Sequence, residues 1–301
     1  MRTRHIAAAA LSALALTLSA CGSDSLSTNP GGGDTGGGSQ SPAPQVSANE
    51  ELKALLPQEI QDSGVIQVGT DASYAPNEFL DADGETVIGM DIDLFDAVAA
   101  KLGVTAEYQP ATFDTIITGV QSGRYDVGVS SFTINEERTK QVNMVSYFSA
   151  GTQWAAAAGN PEGVDPENPC GLVVAVQTGT VQQEEDLPVR QEACGDDPME
   201  ILPFDGQDQA TNALVSGRAD AMLADSPVVA YAVQQTGGQL ETVGEIYDAA
   251  PYGYVVPTEQ RQFAEALSQA LTELEAEGVY TAALETWNVE DGAIDTFEIH
   301  P

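Results

Sequence analysis

Histidine is nearly absent from this chain of 301 residues: one of the two stands at position 5 and the other at position 300. Catalytic triads, His general bases and His-ligated metals need an imidazole held inside a fold, so those chemistries are close to excluded. Positive charge is scarce as well. Ten Lys and Arg face 46 Asp and Glu, a formal charge of -36. A polyanion would meet a surface of its own sign with few cations to displace its counterions, which disfavours nucleic-acid binding through phosphate. Cysteine is limited to three residues. Beyond the N-terminus no segment approaches 18 uninterrupted apolar residues, so no membrane span is expected there. Apolar residues, in contrast, make up 42% of the chain, enough for two or three domains with buried cores.

The first 20 residues read as a secretory signal. Arg2, Arg4 and His5 precede an apolar run from Ile6 to Leu18, and small residues lead to Cys21, a pattern too short for a good membrane span. Leu18-Ser19-Ala20-Cys21 resembles a bacterial lipobox, in which the Cys becomes the lipidated first residue of the mature protein. A plain signal peptide with an incidental Cys is the alternative. Cleavage would remove Arg2 and Arg4, leaving a charge of -38 and eight cations: Lys53, Lys101, Arg124, Arg138, Lys140, Arg190, Arg218 and Arg261. Residues 21–50 follow as the lipidated Cys and a Gly/Ser/Pro tether, which cannot bury enough apolar surface to order itself. The folded part is expected to begin near Leu52. With Cys21 assigned to lipid, Cys170 and Cys194 remain as a disulfide pair in an oxidising compartment.

The rest alternates short β-rich runs with helical patterns, which argues for an α/β fold. Strands are expected at 65–70, 105–109, 127–130, 172–177, 221–224 and 252–256, and helices at 91–102, 113–121, 207–215, 226–235 and 259–277. Asp81-Ala82-Asp83-Gly84 imitates the start of a calcium loop. Ile92 stands where the bidentate Glu would be needed, so a hairpin turn is the better reading. An internal echo carries more weight. Ser122-Gly123-Arg124-Tyr125-Asp126 recurs as Ser216-Gly217-Arg218-Ala219-Asp220, each copy after a helix pattern and before a strand pattern, as in two lobes of similar build. Five residues beyond each repeated Asp stand Ser131 and Asp225. Ligands of open α/β sheets bind at the carboxyl ends of strands, so these two residues are expected to look into one cleft.

Several segments carry a resemblance. Residues 70–79 (Thr-Asp-Ala-Ser-Tyr-Ala-Pro-Asn-Glu-Phe), 89–94 (Gly-Met-Asp-Ile-Asp-Leu), 122–126, 130–138 (Ser-Ser-Phe-Thr-Ile-Asn-Glu-Glu-Arg), 177–180 (Gln-Thr-Gly-Thr), 224–227 (Ala-Asp-Ser-Pro) and 251–254 (Pro-Tyr-Gly-Tyr) occur in an order similar to that of family 3 solute-binding proteins of ABC importers. The resemblance covers about 63–290. It implies a two-lobed periplasmic-binding-protein fold of type II, with the chain crossing between lobes near 147–152 and 249–251. Lobe 1 would comprise 51–148 and 252–301, and lobe 2 would comprise 152–248. It also implies a monomer that takes a free amino acid, uses no cofactor, meets an ABC permease, and reaches the membrane only through its lipid.

A free amino acid sets physical demands that the resemblance maps onto residues. Its carboxylate calls for a guanidinium and further donors, supplied by Arg138, Thr133 and the backbone around Thr180 at an expected helix N-terminus. Its ammonium is assigned to Asp225 and the Ser131 region, and its side chain to a sandwich between Tyr74 and Phe113. Specificity falls to Asp71, Asn77 and Gln177. Each residue has a second reading: Arg138 as a surface partner of Glu136 and Glu137, Asp225 as a helix N-cap, Tyr74 and Phe113 as core aromatics. With no spare cation placed near the site, a basic or amide side chain is favoured over an acidic one. The same fold also serves cyclohexadienyl dehydratases, and a ligand-sensing surface lipoprotein is a further alternative.

Overall fold

The protein was analysed as a computed structural model, which describes residues 46–301. The secretory signal, Cys21 and most of the tether lie outside the described residues. The last residues of the expected 21–50 tether are already joined to the fold. Asn49 donates its backbone N–H to the Lys101 carbonyl at 2.7 Å and caps helix α1 (Glu50–Lys53) with its side chain.

The elements then run α2 (Gln58–Ser63), β1 (Val65–Thr70), β2 (Ser73–Tyr74), β3 (Glu78–Leu80), β4 (Val87–Ile88), α3 (Met90–Lys101), β5 (Thr105–Pro110), α4 (Phe113–Gln121), β6 (Val127–Gly128) and α5 (Glu136–Thr139). They continue with β7 (Asn143–Ala157), β8 (Val173–Gln177), a π-helical turn (Gln182–Asp186), α6 (Leu187–Cys194), β9 (Glu200–Phe204), α7 (Gln207–Val215), β10 (Ala221–Asp225), α8 (Ser226–Gln235), β11 (Leu240–Val256), α9 (Arg261–Ala276), α10 (Val279–Trp287) and β12 (Ile299–His300). The Asp81 segment turns the β3–β4 hairpin, closed by the Asp81 N–H on the Thr86 carbonyl at 2.8 Å.

The repeated pentapeptide does the same structural work twice. Helix α4 ends at Ser122 and Gly123 takes φ 72°, and α7 ends at Ser216 with Gly217 at φ 70°. Both glycines supply the left-handed residue that stops a helix. Each Asp then clamps the neighbouring strand. The Asp126 carboxylate accepts the Gln67 N–H at 2.7 Å and the Asp220 carboxylate accepts the Val173 N–H at 2.8 Å. Strands β1, β5 and β6 are thereby parallel in one lobe and β8, β9 and β10 in the other.

The lobes share one sheet, in the order β5-β1-β6-β11-β7-β10-β8-β9. Its centre is a pair of long antiparallel strands, β7 with 15 residues and β11 with 17. The stretches 147–152 and 249–251, expected to connect the lobes, lie inside these strands. The β7–β11 register shifts between Val243 and Tyr247, between Tyr247 and Ala250, and between Tyr252 and Gly253. Such bulges bend a strand without ending its pairing. In lobe 1, one core packs α3, α9 and α10 on the sheet around Phe95, Leu267 and Tyr254, and α4 covers the other face through Ile116 and Val255. In lobe 2 the two faces are filled around Met222 and Leu214 and around Trp154 and Leu223. The Cys170–Cys194 disulfide joins the approach to β8 with the end of α6.

Candidate ligand-binding site

Strand ends and the turns after them converge on one cavity. Lobe 1 supplies Asp71 after β1, Tyr74 and Glu78 from the small hairpin sheet, Phe113 at the start of α4, Ser131 and Thr133 beyond β6, and Arg138 from α5. Lobe 2 supplies Gln177 at the end of β8, Thr180, Val181 and Gln182 where the π-helical turn begins, and Asp225 at the end of β10. Nine of the ten residues singled out from the sequence are brought together here, including Ser131 and Asp225 from the two copies of the repeat. Strand β6 ends at Gly128, earlier than expected, because the chain turns out of the sheet to place Ser131 at φ 51°.

Arg138 is buried, with 6% of its surface exposed. Its Nη1 donates to the Thr133 carbonyl at 2.7 Å and its Nη2 to the Gly179 carbonyl of the facing lobe at 3.0 Å. The guanidinium carbon stands 5.3 Å from the Phe113 ring centre and 5.5 Å from that of Phe132, and these rings stack at 4.4 Å. Phe113 is therefore both a cavity wall and a support for Arg138. The surface reading of Arg138 does not hold, since Glu136 pairs with Lys140 at 3.0 Å. Burial pulls the pKa of Arg138 below its usual value, and it stays cationic.

Asp225 opens α8, yet its side chain makes no capping bond. It is turned instead into the cavity, where Oδ2 accepts from Tyr74 Oη at 2.8 Å and Oδ1 from Gln182 Nε2 at 2.7 Å. Burial pushes its carboxyl up, opposed by the hydroxyls of Tyr252 and Tyr74. Tyr74 thus ties lobe 1 to lobe 2 and packs among the lobe 2 core residues. Further bonds join the lobes: Gln177 Nε2 to Asp71 Oδ2 at 3.0 Å and the Gln207 N–H to Ser73 Oγ at 3.0 Å. The helical start expected at Thr180 is present: the Glu184 N–H bonds the Thr180 carbonyl at 2.9 Å as one α-type turn, and the π-helical turn follows from Gln182.

The remaining wall is acidic. Asp71 accepts from the Phe113 N–H at 2.9 Å and from the Ser73 N–H at 3.0 Å, and burial raises its carboxyl to about 6. Gln177 turns its amide nitrogen to two acceptors, Asp71 Oδ2 and the Asp205 carbonyl, leaving its buried Oε1 without a partner. Glu78 is fully buried and lines the cavity. Asn77 does not line it. That residue, in the turn between β2 and β3, is buried behind the site and donates to Ser131 Oγ at 2.8 Å, while Glu78 reaches the cavity. Three cavity residues, Glu78, Val181 and Gln182, were not singled out from sequence. Glu78 sits within the quoted 70–79 segment, whereas nothing local marks Gln182, whose bonds to Asp225 and to Thr152 Oγ1 at 3.1 Å exist only across the fold.

The profile of bacterial extracellular solute-binding proteins, family 3, matches residues 66–290. The arginine-binding protein ArgT of Corynebacterium glutamicum is 39% identical over 248 residues, 81% of each chain. An ancestral arginine-binding protein, solved with arginine and with glutamine, is 35% identical, with TM-scores of 0.70 and 0.69. Those alignments cover 74% and 75% of this chain and 98% and 99% of theirs. The two-lobed mixed α/β architecture, the motif order and the matched span together make this chain a member of the family 3 bacterial extracellular solute-binding proteins.

Proposed function

We propose that this protein captures a basic amino acid, arginine foremost, outside the cytoplasmic membrane and delivers it to an ABC permease. The observation that carries the reading is the charge layout of the cavity. Arg138 is the one cation among its lining residues, while Asp71, Glu78 and Asp225 are carboxyls. A zwitterion with a cationic side chain matches that layout. Its carboxylate goes to Arg138 with Thr133 and the Thr180 turn, its ammonium to Asp225 with Ser131, and its guanidinium to Asp71, Glu78 and the free Oε1 of Gln177. Tyr74 and Phe113 enclose the aliphatic stem. An acidic side chain would face carboxyls alone, since Lys101 is engaged by Glu277 at 2.6 Å and Arg190 by Asp186 at 2.8 Å.

Both lobes contribute, so ligand favours the arrangement in which they meet. The two relatives that bind arginine support the ligand class, and membership in an extracellular family supports the location. The lipobox-like Cys21 and the Gly/Ser/Pro segment belong to the same reading as a lipid anchor and spacer on a monomeric protein.

Titration calorimetry with arginine, lysine, glutamine and glutamate tests the proposal. Arginine is expected to bind tightest and glutamate not at all. Arg138→Ala should weaken arginine binding about a hundredfold or more, because a buried carboxylate loses its partner. Tighter binding of glutamate than of arginine would overturn the assignment.

A further inference from the structure

Beneath the acidic wall lies a second carboxyl that does not line the cavity. Asp91, at the N-terminal end of α3, is fully buried, as is Glu78. Ser131 Oγ sits 3.2 Å from Glu78 Oε2 and 3.2 Å from Asp91 Oδ2 while accepting from Asn77 Nδ2. Its single hydroxyl proton serves one of the two carboxyls at a time. The other donors are few. Ser130 Oγ donates to Glu78 Oε1 at 2.9 Å, and Asp91 Oδ2 takes the Ser131 N–H at 2.9 Å and Tyr147 Oη at 2.6 Å. Asp91 Oδ1 is buried without a partner.

The titratable groups close enough to act electrostatically on this pair are Asp71, Tyr74, Tyr108, Tyr147 and Tyr254, every one an acid. Arg138, the cavity's cation, donates to the Thr133 and Gly179 carbonyls and to neither of these carboxyls. Two buried carboxylates side by side with no cation are too costly to ionise together. Burial and the neighbouring Asp91 push the Glu78 carboxyl well above its ordinary range, and burial raises Asp91 to about 6.

We propose that Glu78 and Asp91 share one proton until ligand arrives, and that a cationic side chain entering the cavity displaces this proton to solvent. The inference rests on the basic-ligand reading and extends it: ligand cation and proton compete for Glu78. An uncharged side chain has no means of displacing the proton, so preference for a cation over a neutral isostere grows as pH rises. The pair then acts as the element that separates basic from amide side chains, with Asp91 as a positioning residue that keeps the proton on Glu78.

Calorimetry at pH 7.5 in buffers of different ionisation enthalpy counts the protons. Asp71, near 6, is already ionised at that pH and adds little. Arginine binding to the wild-type protein is expected to release about one proton, and citrulline, with an uncharged urea in place of the guanidinium, close to none. In Glu78→Gln, which keeps the side-chain shape, release with arginine should fall to near zero. Arginine binding without proton release, or equal release from wild type and Glu78→Gln, overturns the proposal while leaving the basic-ligand reading standing. Failure of arginine to bind at all would remove both.

Discussion

At the scale of single residues, the site separates groups that a sequence exposes from groups that only folding reveals. Arg138, Asp225, Asp71 and Tyr74 are legible because each sits in a segment whose residue order is distinctive and each has a chemistry the ligand demands. Gln182 is not. It presents an amide donor to Asp225 at 2.7 Å, which under the proposed function holds that carboxylate in place for an ammonium. Replacing it by leucine removes one of the side-chain donors to Asp225. The expected result is a loss of about tenfold in affinity for arginine, the scale of one hydrogen bond to a charged group, with little change in melting temperature; unchanged affinity by calorimetry would remove Gln182 from the site. Asn77 is the opposite case. It stands inside the distinctive 70–79 segment, yet its side chain faces the interior and steadies Ser131. Asn77 lies in the turn between β2 and β3, where no alternation assigns a face from sequence.

Among the elements, those with strong periodicity or an explicit stop signal were readable: helices 113–121, 207–215 and 226–235 form over the expected residues, each fixed by its apolar face and by a Ser-Gly or Ser-Pro boundary. Helices α6 and α10 and the π-turn were not readable, since their apolar patterns are short and their packing partners distant in sequence. The long strands β7 and β11 were hidden for a related reason: hydrophobic pattern changes partner midway, from lobe 1 to lobe 2, and looks like separate pieces. The disulfide gives this scale its prediction. Cys170 and Cys194 are 24 residues apart and hold α6 against the approach to β8, and no residue of α6 itself lines the cavity. Closure of such a loop is worth about 3 kcal/mol through the unfolded chain. The Cys170→Ser/Cys194→Ser variant should lose about that much stability in urea while binding arginine within a few-fold of wild type. A large loss of affinity would mean that α6 governs the π-turn that carries Gln182.

For the molecule as a whole, acid should stabilise where acid usually harms. Asp71 titrates near 3.8 when unfolded and about 6 when folded, chiefly through burial. Between those values the folded state binds more protons than the unfolded state, so stability falls as pH rises through the window. The shift corresponds to a loss on the order of 3 kcal/mol once Asp71 is ionised, and Asp91, raised to about 6, acts in the same direction. The excess of 46 acidic over 10 basic residues adds self-repulsion that also grows with pH. Asp83 works the other way, held down to about 2 by Thr86 and the Glu85 N–H, but its contribution is lost only as pH drops below about 4 and leaves the window untouched. The folded protein without ligand is thus expected to melt higher at pH 5 than at pH 7.5. Arginine should narrow that gap, because its guanidinium meets the same carboxylates whose ionisation is costly, and at a hundred times its dissociation constant a ligand adds about 2.7 kcal/mol. Melting followed by circular dichroism at both pH values, with and without arginine, decides the matter: a ligand-free melting temperature that climbs from pH 5 to 7.5 would show that these carboxyls do not hold their protons in the folded protein.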